Sequence, residues 1–346
     1  MRIILDAMGG DNAPLAPVEG AVKAAETLGV DVILSGKPQE IMVCLEKLGH
    51  KEVPKGIEIL PASQVITMED NPARAFKEKK DSSMTVGLQK LKDGEADAFV
   101  SAGSTGALLS AATLMVKRIR GIRRAALAPV VPTGNGGAVL IDCGANAECP
   151  PEYLLQFAYM GSYYAEHVLG RPEPKVGLLN IGVEPSKGTA LQTTVYPMLK
   201  AAGEAGRINF VGNVEAREAV EGAVDVIVAD GYSGNIFLKA MEGTGLYLVR
   251  ELKGIFKQNL ITKLAAVMVS GGLKRLKKLM SSSEVGGTAL VGISKPVIKA
   301  HGSSDAYAIK NAIRQAKQYV SSGIIESISE NIGVMRLDAP AAKTEE

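Results

Sequence analysis

Loops rich in Gly, Ser, Thr, Asn and Asp follow short apolar runs at six points along the chain. The apolar runs are typical of buried parallel strands, and the carboxyl ends of such strands meet at one edge of the sheet, where ligands bind. In any single loop these residues are ordinary turn and helix-cap residues. Six such loops at one edge instead indicate an anion site built from free backbone N–H groups and short polar side chains. The loops are Asp6–Asp11, Ser101–Ala107, Asp142–Asn146, Asn180–Thr189, Asp230–Asn235 and Lys299–Asp305.

The predicted phosphate ligands come from these loops. Gly103 and Gly106 allow the backbone to approach an anion closely, and Ser104, Thr105 and Ser233 supply hydroxyl donors. The full set of predicted substrate- and phosphate-binding residues is Asp6, Gly9, Gly10, Gly103, Ser104, Thr105, Gly106, Asn146 and Ser233.

Lys187 is a candidate cation for the same site. It lies in the string GVEPSKGT, between a strand and a helix that we expect to begin near Thr189. A P-loop has Gly-Lys-Ser/Thr, whereas the order here is Lys187-Gly188-Thr189, so the string does not predict a nucleoside triphosphatase. The dipole repels a lysine at a helix N-terminus unless an anion lies between them, which favours a bound phosphate. The alternative is a solvated surface lysine.

Other kinds of site are weakly indicated. Of the three histidines, only His301 lies in such a loop, within HGSSD. Asp6, Asp142 and Asp230 end strands and carry oxygens that suit a metal, but we favour turn capping and predict no metal. Cys143 has no histidine near it in sequence and is interpreted as a small buried residue. No Gly-x-Gly-x-x-Gly follows a strand, so a dinucleotide site is disfavoured and no cofactor is predicted.

Short β-branched runs alternate with stretches of helical periodicity. This alternation predicts an α/β fold with a mostly parallel, doubly wound sheet and helices on both faces. The predicted strands are Arg2–Asp6, Asp31–Ser35, Ile57–Pro61, Ala98–Ser101, Ala126–Val130, Ala138–Asp142, Lys175–Leu179, Ile208–Val211 and Val224–Ala229. The predicted helices include Pro14–Leu28, Gln39–Leu48, Ala107–Val116, Pro151–Leu169, Thr189–Ala202 and Glu215–Glu221.

Length and composition favour one folded unit. Of the 346 residues, 46% are apolar, which is enough for a large core. We predict a single domain over residues 1–334 and a flexible tail over residues 335–346. Three cysteines are too few for a disulfide framework, and the start MRIILDAMGG is interpreted as a strand rather than a signal peptide. We therefore expect a cytoplasmic, reduced protein.

A helical stretch at about 241–283 is predicted to be an excursion from the α/β body. The chain has 39 basic and 37 acidic residues, a net charge of +2 that does not indicate nucleic acid binding, and no nucleic-acid partner is predicted. Residues 252–283 hold seven of the basic residues and none of the acidic ones, so this segment is expected to face an anionic partner. Its apolar residues recur at helical spacing, which is also typical of a dimer interface with solvated lysines. The seven are Lys253, Lys257, Lys263, Lys274, Arg275, Lys277 and Lys278.

Seven strings in register carry a family resemblance. They are DAMGGD, SAGSTGAL, DCGAN, GLLNIGVEPSKG, FVGNVEAR, DGYSGNIFLK and IKAHGSSD. Together they resemble the bacterial phosphate acyltransferase family, from Met1 to about Ile332. The resemblance implies transfer of a fatty acyl group from acyl carrier protein to inorganic phosphate, which gives an acyl phosphate for phospholipid synthesis.

The resemblance also implies a fold, partners and site residues. The fold is a three-layer α/β/α sandwich related to isocitrate and isopropylmalate dehydrogenases. The protein is a cytoplasmic homodimer with peripheral membrane contact, and it needs neither a metal nor an organic cofactor. Lys187 and Asn235 are the implied catalytic residues, and His301 is a further candidate that hydrogen-bonds phosphate or the leaving thiolate. Ser104 departs from the family, which commonly has Asn there. The basic segment is then expected to dock the acidic carrier protein or anionic lipid.

Three alternatives stay open at this point. The first is a phosphotransacylase that uses a coenzyme A thioester. The second is a dehydrogenase of the isopropylmalate type, which the fold alone suggests. The third is a non-catalytic, membrane-docked scaffold for the carrier protein.

Overall fold

The strands divide into two sheets. A computed structural model describes residues 1–273, 284 and 286–335. Its strands are β1 (Arg2–Asp6), β2 (Asp31–Gly36), β3 (Ile57–Pro61), β4 (Ala98–Ser101), β5 (Ala126–Ala128), β6 (Val130–Val131), β7 (Ala138–Ile141), β8 (Lys175–Asn180), β9 (Asn209–Glu215), β10 (Val226–Val228), β11 (Gly287–Val291) and β12 (Val297–Ala300). The first sheet has the order β3-β2-β1-β4-β12-β11-β5 and the second the order β6-β7-β10-β8-β9. Most neighbouring strands are parallel, as the sequence predicts. The exceptions are β11, which is antiparallel to β12 and β5, and β6, which is antiparallel to β7.

Pro129 splits the predicted strand Ala126–Val130 between the two sheets. Proline has no N–H to give to a ladder, so a strand tends to end or change partners there. The Pro129 carbonyl still accepts from the Leu140 N–H at 3.0 Å, and the Leu127 carbonyl accepts from the Cys143 N–H at 3.1 Å. These bonds hold the two sheets side by side. The strands β11 and β12 are additions to those that the sequence predicted.

The helices cover both faces of the strands. They are α1 (Leu15–Leu28), α2 (Pro38–Lys47), α3 (Ala75–Glu78), α4 (Ser83–Lys92), α5 (Thr105–Ala111), α6 (Pro151–His167), α7 (Ala190–Glu204), α8 (Ala216–Glu221), α9 (Gly231–Lys257), α10 (Leu260–Met268), α11 (Ala306–Ser321) and α12 (Ile324–Glu330). A π-helical turn, Ala112–Val116, continues α5.

Side-chain alternation along the strands separates two apolar layers. In β1, Ile3 and Leu5 belong to one buried cluster and Ile4 to the other. Because successive side chains of a strand point to opposite faces, helices must cover both sides of such a sheet. The α/β fold with helices on both faces is therefore confirmed.

Polar residues at the carboxyl ends of strands begin the helices that follow. Asp230 is the N-cap of α9 and accepts from the Ser233 N–H at 2.8 Å, and Asp305 accepts from the Ala308 N–H of α11 at 2.8 Å. Such caps satisfy N–H groups that have no partner within the helix. They fix where each helix begins and thus which side chains stand at the sheet edge.

The predicted excursion at about 241–283 includes the later part of α9, which begins ten residues earlier at Gly231, and all of α10, and its residues 274–283 lie outside the described residues. The helix α9 is 27 residues long, and α10 follows it after the N-cap Asn259. No residue of α10 is buried. No helix in the described ranges is both long and apolar enough to cross a bilayer. The predicted tail begins at Met335, which is buried, and its residues 336–346 lie outside the described residues.

Candidate active site

A cleft of about 670 Å³ opens where strand ends from both sheets meet. Its wall is apolar and comes mainly from the β5–β6 segment and from α9. Its polar lining comes from the loops after β1 and β4, from α9, and from β12 with the loop after it. The apolar lining includes Met68, Leu127, Pro129, Val130, Val131, Leu238 and Met241. The polar lining includes Asp11, Thr105, Asn235, Lys239, Lys299 and His301.

Lys299 is the buried cation of this cleft. It lies near the end of β12 and its residue surface is only 8% exposed. Its Nζ donates to the backbone carbonyl of Ala102 at 3.4 Å and to that of Ala300. Burial lowers the pKa of Lys299 to about 8, although the acids Asp6 and Asp11 act to raise it. Burial in a low dielectric disfavours the charged form of an amine, which explains the direction.

His301 stands two residues further on, exposed in the cleft. Its Nδ1 lies 2.8 Å from the Ser303 hydroxyl oxygen and accepts from the Ser303 backbone N–H at 3.2 Å. An N–H group can only donate, so Nδ1 carries a lone pair and the neutral ring carries its proton on Nε2. His301 therefore offers an Nε2–H donor.

Asp6, Gly9, Gly10 and Gly103 pack together next to the residues that line the cleft. Asp6 is buried, and its carboxylate accepts from the Ser101 hydroxyl at 2.7 Å and from the Met8 N–H at 3.2 Å. Burial raises the pKa of Asp6, and these hydrogen bonds act to lower it. A Cβ on Gly9 would lie 2.6 Å from Asp6 Oδ2 and 2.7 Å from the Gly103 nitrogen. The predicted ligands Asp6, Gly9, Gly10 and Gly103 do not line the cleft, and their close packing fixes the loops that do.

The loop after β4 contributes Thr105 to the cleft. Ser104 is buried as the N-cap of α5, with its hydroxyl oxygen accepting from the Ala107 N–H at 3.4 Å. Gly106 faces Pro72, whose Cβ would lie 2.9 Å from an added Cβ. Of the four predicted phosphate ligands at 103–106, Thr105 is the one that lines the cleft.

Asp142 organises its own loop. Its Oδ1 accepts from the backbone N–H groups of Leu127, Cys143 and Ala145, at 2.9, 2.7 and 3.3 Å. Its Oδ2 accepts from the backbone N–H and the side-chain amide of Asn146, at 2.7 and 3.0 Å. These contacts match the turn-capping interpretation. No group of three or more His, Cys, Asp or Glu side chains within the described residues is placed to hold a metal ion.

Asn146 is held by the same network. Its side-chain nitrogen also donates to the Ala125 carbonyl at 2.9 Å, so both amide hydrogens are engaged within the protein. Asn146 lines a separate, open depression with Arg124 and Tyr153 rather than the cleft.

Asn235 lines the cleft from the first turns of α9, beside Gly144. Two glycines bring the helix onto the Asp142 loop. A Cβ on Gly231 would lie 2.5 Å from the Asn146 carbonyl oxygen, and one on Gly234 would lie 2.0 Å from that of Asp142. Larger residues do not fit at either position. Ser233 is half-buried and lies outside the lining, and its N–H is the one that Asp230 caps.

Cys143 is the thiol that faces the cleft. Burial, reinforced by the nearby Asp142, raises the pKa of this thiol to about 12. The thiolate is the nucleophilic form of cysteine, so a thiol that resists ionisation is a poor nucleophile. This supports the interpretation of Cys143 as a small buried residue.

Lys187 stands apart from these groups. It is exposed on the loop between β8 and α7, and it is not among the residues that line the cleft. Its backbone is fixed, because its N–H donates to the Glu184 carbonyl at 3.1 Å and its carbonyl accepts from the Asn180 amide at 3.0 Å. Lys187 belongs to none of the ion pairs found among the described residues.

Comparisons with known protein families and with individual proteins agree on one family for this chain. A family model described as "Fatty acid synthesis protein" matches residues 1–327. A phosphate acyltransferase from Thermoanaerobacterium thermosaccharolyticum is 46% identical over 343 residues, covering 99% of this chain and 100% of that protein. One from Alkaliphilus oremlandii is 47% identical over 332 residues, covering 96% and 97%. The chain belongs to the phosphate acyltransferase family. It is an acyltransferase.

Solved structures share the fold at low sequence identity. A phosphotransacetylase from Streptococcus pyogenes is similar with a TM-score of 0.58 and 18% identity, covering 92% of this chain and 94% of that one. A 4-hydroxythreonine-4-phosphate dehydrogenase from Klebsiella pneumoniae is similar with a TM-score of 0.52 and 11% identity, covering 92% and 99%. The phosphate acyltransferase fold is thus shared with enzymes of different chemistry, and the fold alone does not select the reaction.

The lysines of the basic segment that the structure of this phosphate acyltransferase describes do not line the cleft. Lys253, Lys257 and Lys263 are exposed on α9 and α10. They are accompanied by exposed apolar residues: Leu246, Tyr247, Leu248, Ile255, Leu260, Ile261, Leu264, Val267, Met268 and Val269. The predicted docking residues Lys274, Arg275, Lys277 and Lys278 lie outside the described residues.

The sequence-based prediction of the site did not include five charged residues that line the cleft, which are Asp11, Lys239, Glu242, Glu284 and Lys299. Lys239 pairs with Glu242 at 2.8 Å on α9. Lys299 had a usable signal, because it interrupts the apolar run Val297–Ala300, which becomes a fully covered strand. A charged residue inside such a run is rarely buried without a reason.

Proposed function

We propose that this phosphate acyltransferase moves a fatty acyl group from an acyl-carrier-protein thioester to inorganic phosphate, giving an acyl phosphate for phospholipid synthesis. One observation carries the proposal: a single cleft combines an apolar wall with a polar lining that includes the buried Lys299 and the hydrogen-bonding side chains of Thr105, Asn235 and His301, beside the acids Asp11, Glu242 and Glu284. An acyl donor needs the first and phosphate needs the second. A cleft of about 670 Å³ has room for both reacting ends.

The apolar wall suits the acyl chain. Leu127, Val130 and Leu238 contribute aliphatic side chains, and Met68 and Met241 contribute flexible thioethers. Methionine adapts to irregular apolar ligands, because it is unbranched and polarisable. Each buried methylene of the chain contributes roughly 0.8 kcal/mol, so even part of a fatty acyl group binds usefully here.

The reaction proposed is direct transfer. A phosphate oxygen attacks the thioester carbonyl carbon and forms a C–O bond. The carbonyl becomes an oxyanion, to which the Asn235 amide donates. The oxyanion then collapses, the C–S bond breaks, and the electron pair leaves on sulfur as a thiolate. One oxyanion donor typically contributes about 3–4 kcal/mol to the transition state, and positioning of the two reactants contributes more.

His301 is proposed to assist at the phosphate or at the departing sulfur. Its Nε2–H is the available donor of the ring, because Nδ1 already accepts from Ser303. A hydrogen bond from this group stabilises negative charge on either atom. Thr105, on the loop after β4, adds a hydroxyl donor on the same lining.

No covalent acyl-enzyme is needed. The thiol beside the site, Cys143, has a pKa raised to about 12 and is a poor nucleophile at neutral pH. Direct transfer predicts that no acylated protein accumulates when the donor is supplied without phosphate. Acylated protein trapped under those conditions would show that the reaction proceeds in two steps.

Lys187 is proposed as an additional neutralising charge on the phosphate. Its position is exposed and outside the cleft lining, so any action is through its long side chain, which has no ion-pair partner among the described residues. Its contribution is a separate part of the proposal with its own test, given below.

The exposed lysines of α9 and α10 are proposed to dock the carrier protein. Carrier proteins are acidic, and anionic lipid headgroups offer the same charge to these amphipathic helices, so a peripheral membrane contact fits a cytoplasmic enzyme. The exposed apolar residues between the lysines also suit a homodimer interface, and both uses can coexist. Electrostatic docking predicts that affinity for the carrier falls as salt rises. Affinity that is insensitive to salt would contradict it.

The deciding experiment is to mix the purified protein with a palmitoyl-acyl-carrier-protein thioester, with and without phosphate. We expect free carrier and hydroxylamine-reactive acyl phosphate only when phosphate is present. If a coenzyme A thioester reacts and the carrier thioester does not, the donor is wrong and the cleft chemistry stands. If neither donor reacts, acyl transfer to phosphate is refuted.

A further inference from the structure

Lys299 lies in a strand whose other residues are apolar and buried, at a position where an apolar core residue is expected. It lies on β12, in register with Ser101 of the parallel strand β4 and with Thr288 of β11. Val297 packs in one buried layer and Ile298 and Ala300 pack in the other. Because side chains alternate along a strand, Lys299 shares the face of fully buried Val297. Its side chain therefore leaves that layer at the point where the layer opens into the cleft.

The ammonium group of Lys299 is poorly compensated inside the protein. It has three N–H donors, and the contacts of Nζ are the backbone carbonyls of Ala102 and Ala300, the first at a long 3.4 Å. Lys299 belongs to none of the ion pairs in the described part of the chain. A buried charge without an ionic partner is costly, so its retention at the floor of a cleft indicates an anionic ligand.

The surrounding charges favour the protonated form. The Asp6 carboxylate at the end of β1 is buried and held by Ser101, and Asp11 lines the cleft. Both acids act to raise the pKa of Lys299 against the effect of burial. Lys239, which acts to lower this pKa, is paired with Glu242. Asp6 supports the lysine without replacing the ligand, because none of the hydrogen bonds and ion pairs in the described part of the chain joins its carboxylate to Lys299 Nζ.

We propose that Lys299 binds the phosphoryl group in the cleft, holding the oxygens of the phosphate substrate and of the acyl phosphate product. The identity of the ligand rests on the proposed function, and the location rests on the geometry. Thr105 and His301 line the same cleft from the two adjacent strand ends and offer hydrogen-bond donors. Phosphate has several acceptor oxygens and suits a point charge flanked by such donors.

The test compares Lys299→Met with Lys295→Met. Methionine has nearly the shape of lysine without the charge, so the first variant removes only the ammonium. Lys295 is exposed in the turn between β11 and β12 and is outside the lining, so the second variant makes the same change on the same hairpin. We expect Lys299→Met to raise KM for phosphate at least tenfold, leave KM for the thioester donor unchanged, and lose the thermal stabilisation that inorganic phosphate gives. Lys295→Met should match the wild type.

Each outcome decides a separate point. If phosphate stabilises the wild type but not Lys299→Met, and no donor yields acyl phosphate, the phosphate site stands and the proposed function fails. If the wild type turns over and Lys299→Met keeps the wild-type KM and stabilisation by phosphate, Lys299 is not the ligand. A rise in KM for the donor alone assigns Lys299 to the thioester and overturns the proposal, and so does a wild type that inorganic phosphate does not stabilise.

A second measurement on the unmodified protein covers the case in which Lys299→Met fails to fold. A small amine-acetylating reagent is applied with and without phosphate, and peptide mass spectrometry follows each lysine. Phosphate should slow acetylation of Lys299 and leave that of Lys295 unchanged. Equal rates at Lys299 in both conditions would overturn the proposal.

Discussion

Replacing Gly234 with alanine should damage the site without altering any proposed catalytic group. A Cβ at this position would lie 2.0 Å from the Asp142 carbonyl oxygen, a contact well below the 3.0 Å that real Cβ atoms keep. The Asp142 loop is fixed by five hydrogen bonds to the Asp142 carboxylate, so we expect the start of α9 to move instead. The helix must shift by about 1 Å to relieve an overpacked contact of this kind.

The shift sets the size of the effect. Asn235 follows Gly234 and moves with it, and a displacement of about 1 Å of a reacting group lowers a rate on the order of 100-fold. Overpacking also lowers the free energy of unfolding by about 1–3 kcal/mol. The better helix propensity of alanine recovers up to about 1 kcal/mol of that loss.

Gly243→Ala on the same helix is the matched control. Its added Cβ meets no heavy atom within 4 Å. We expect this variant to gain about 0.5–1 kcal/mol in unfolding free energy and to keep its activity. Acyl phosphate formation at saturating donor gives the rate, and urea unfolding gives the stability. A Gly234→Ala protein with the wild-type rate would refute the argument that this contact positions Asn235, and equal losses in both variants would show a general effect on α9.

Four further predictions follow from the same geometry. Asn235→Ala should lower kcat by about 100- to 1,000-fold with little change in stability, measured as acyl phosphate formation, because it removes an oxyanion donor; an unchanged kcat excludes that role. Cys143→Ser should retain activity at saturating substrates, and complete loss would revive a thiol mechanism. Lys187→Ala should reduce the rate at least tenfold, as expected for the loss of a charge near phosphate, while the circular dichroism spectrum stays unchanged; full activity would remove Lys187 from the site. The pKa of Lys299 falls from 10.5 to about 8 on folding, so the unfolded chain binds more protons between these values. The unfolding free energy of the wild type minus that of Lys299→Met should therefore rise as pH increases from 8 to 10, and a flat difference would contradict a lysine whose pKa is lowered by burial.

Local pattern predicted most of the α/β body. The predicted strands and helices recur in the structure with shifted ends, because apolar runs and helical periodicity already specify which residues must be covered. The apolar pattern could not show that Pro129 divides the predicted strand Ala126–Val130 between two sheets, because the residues on both sides of the proline are apolar. It also missed β11 and β12, whose short strands are defined by antiparallel pairing with each other and by pairing with distant β4 and β5.

The strand-end loops were predicted, but not which of their groups face a ligand. Asn235, His301 and Thr105 line the cleft, whereas Ser104 caps α5 and Asn146 binds the Ala125 carbonyl. All five are short polar residues in similar local strings. A polar group is free for a ligand only if folding brings no internal partner to it, and for Asn146 that partner lies 21 residues away in sequence.

The sequence by itself determined the alternation of strands and helices, the edge at which polar loops collect, and the family. It did so because these depend on residue type and spacing. Only the tertiary structure decided that Lys299 is buried beside the cleft, because in the sequence nothing separates it from the many other lysines. Packing of β4 and β11 on either side of β12 removes water from the side chain of Lys299, and its charged end lines the cleft. Burial and electrostatic environment are properties of neighbours in space, so no local pattern could supply them.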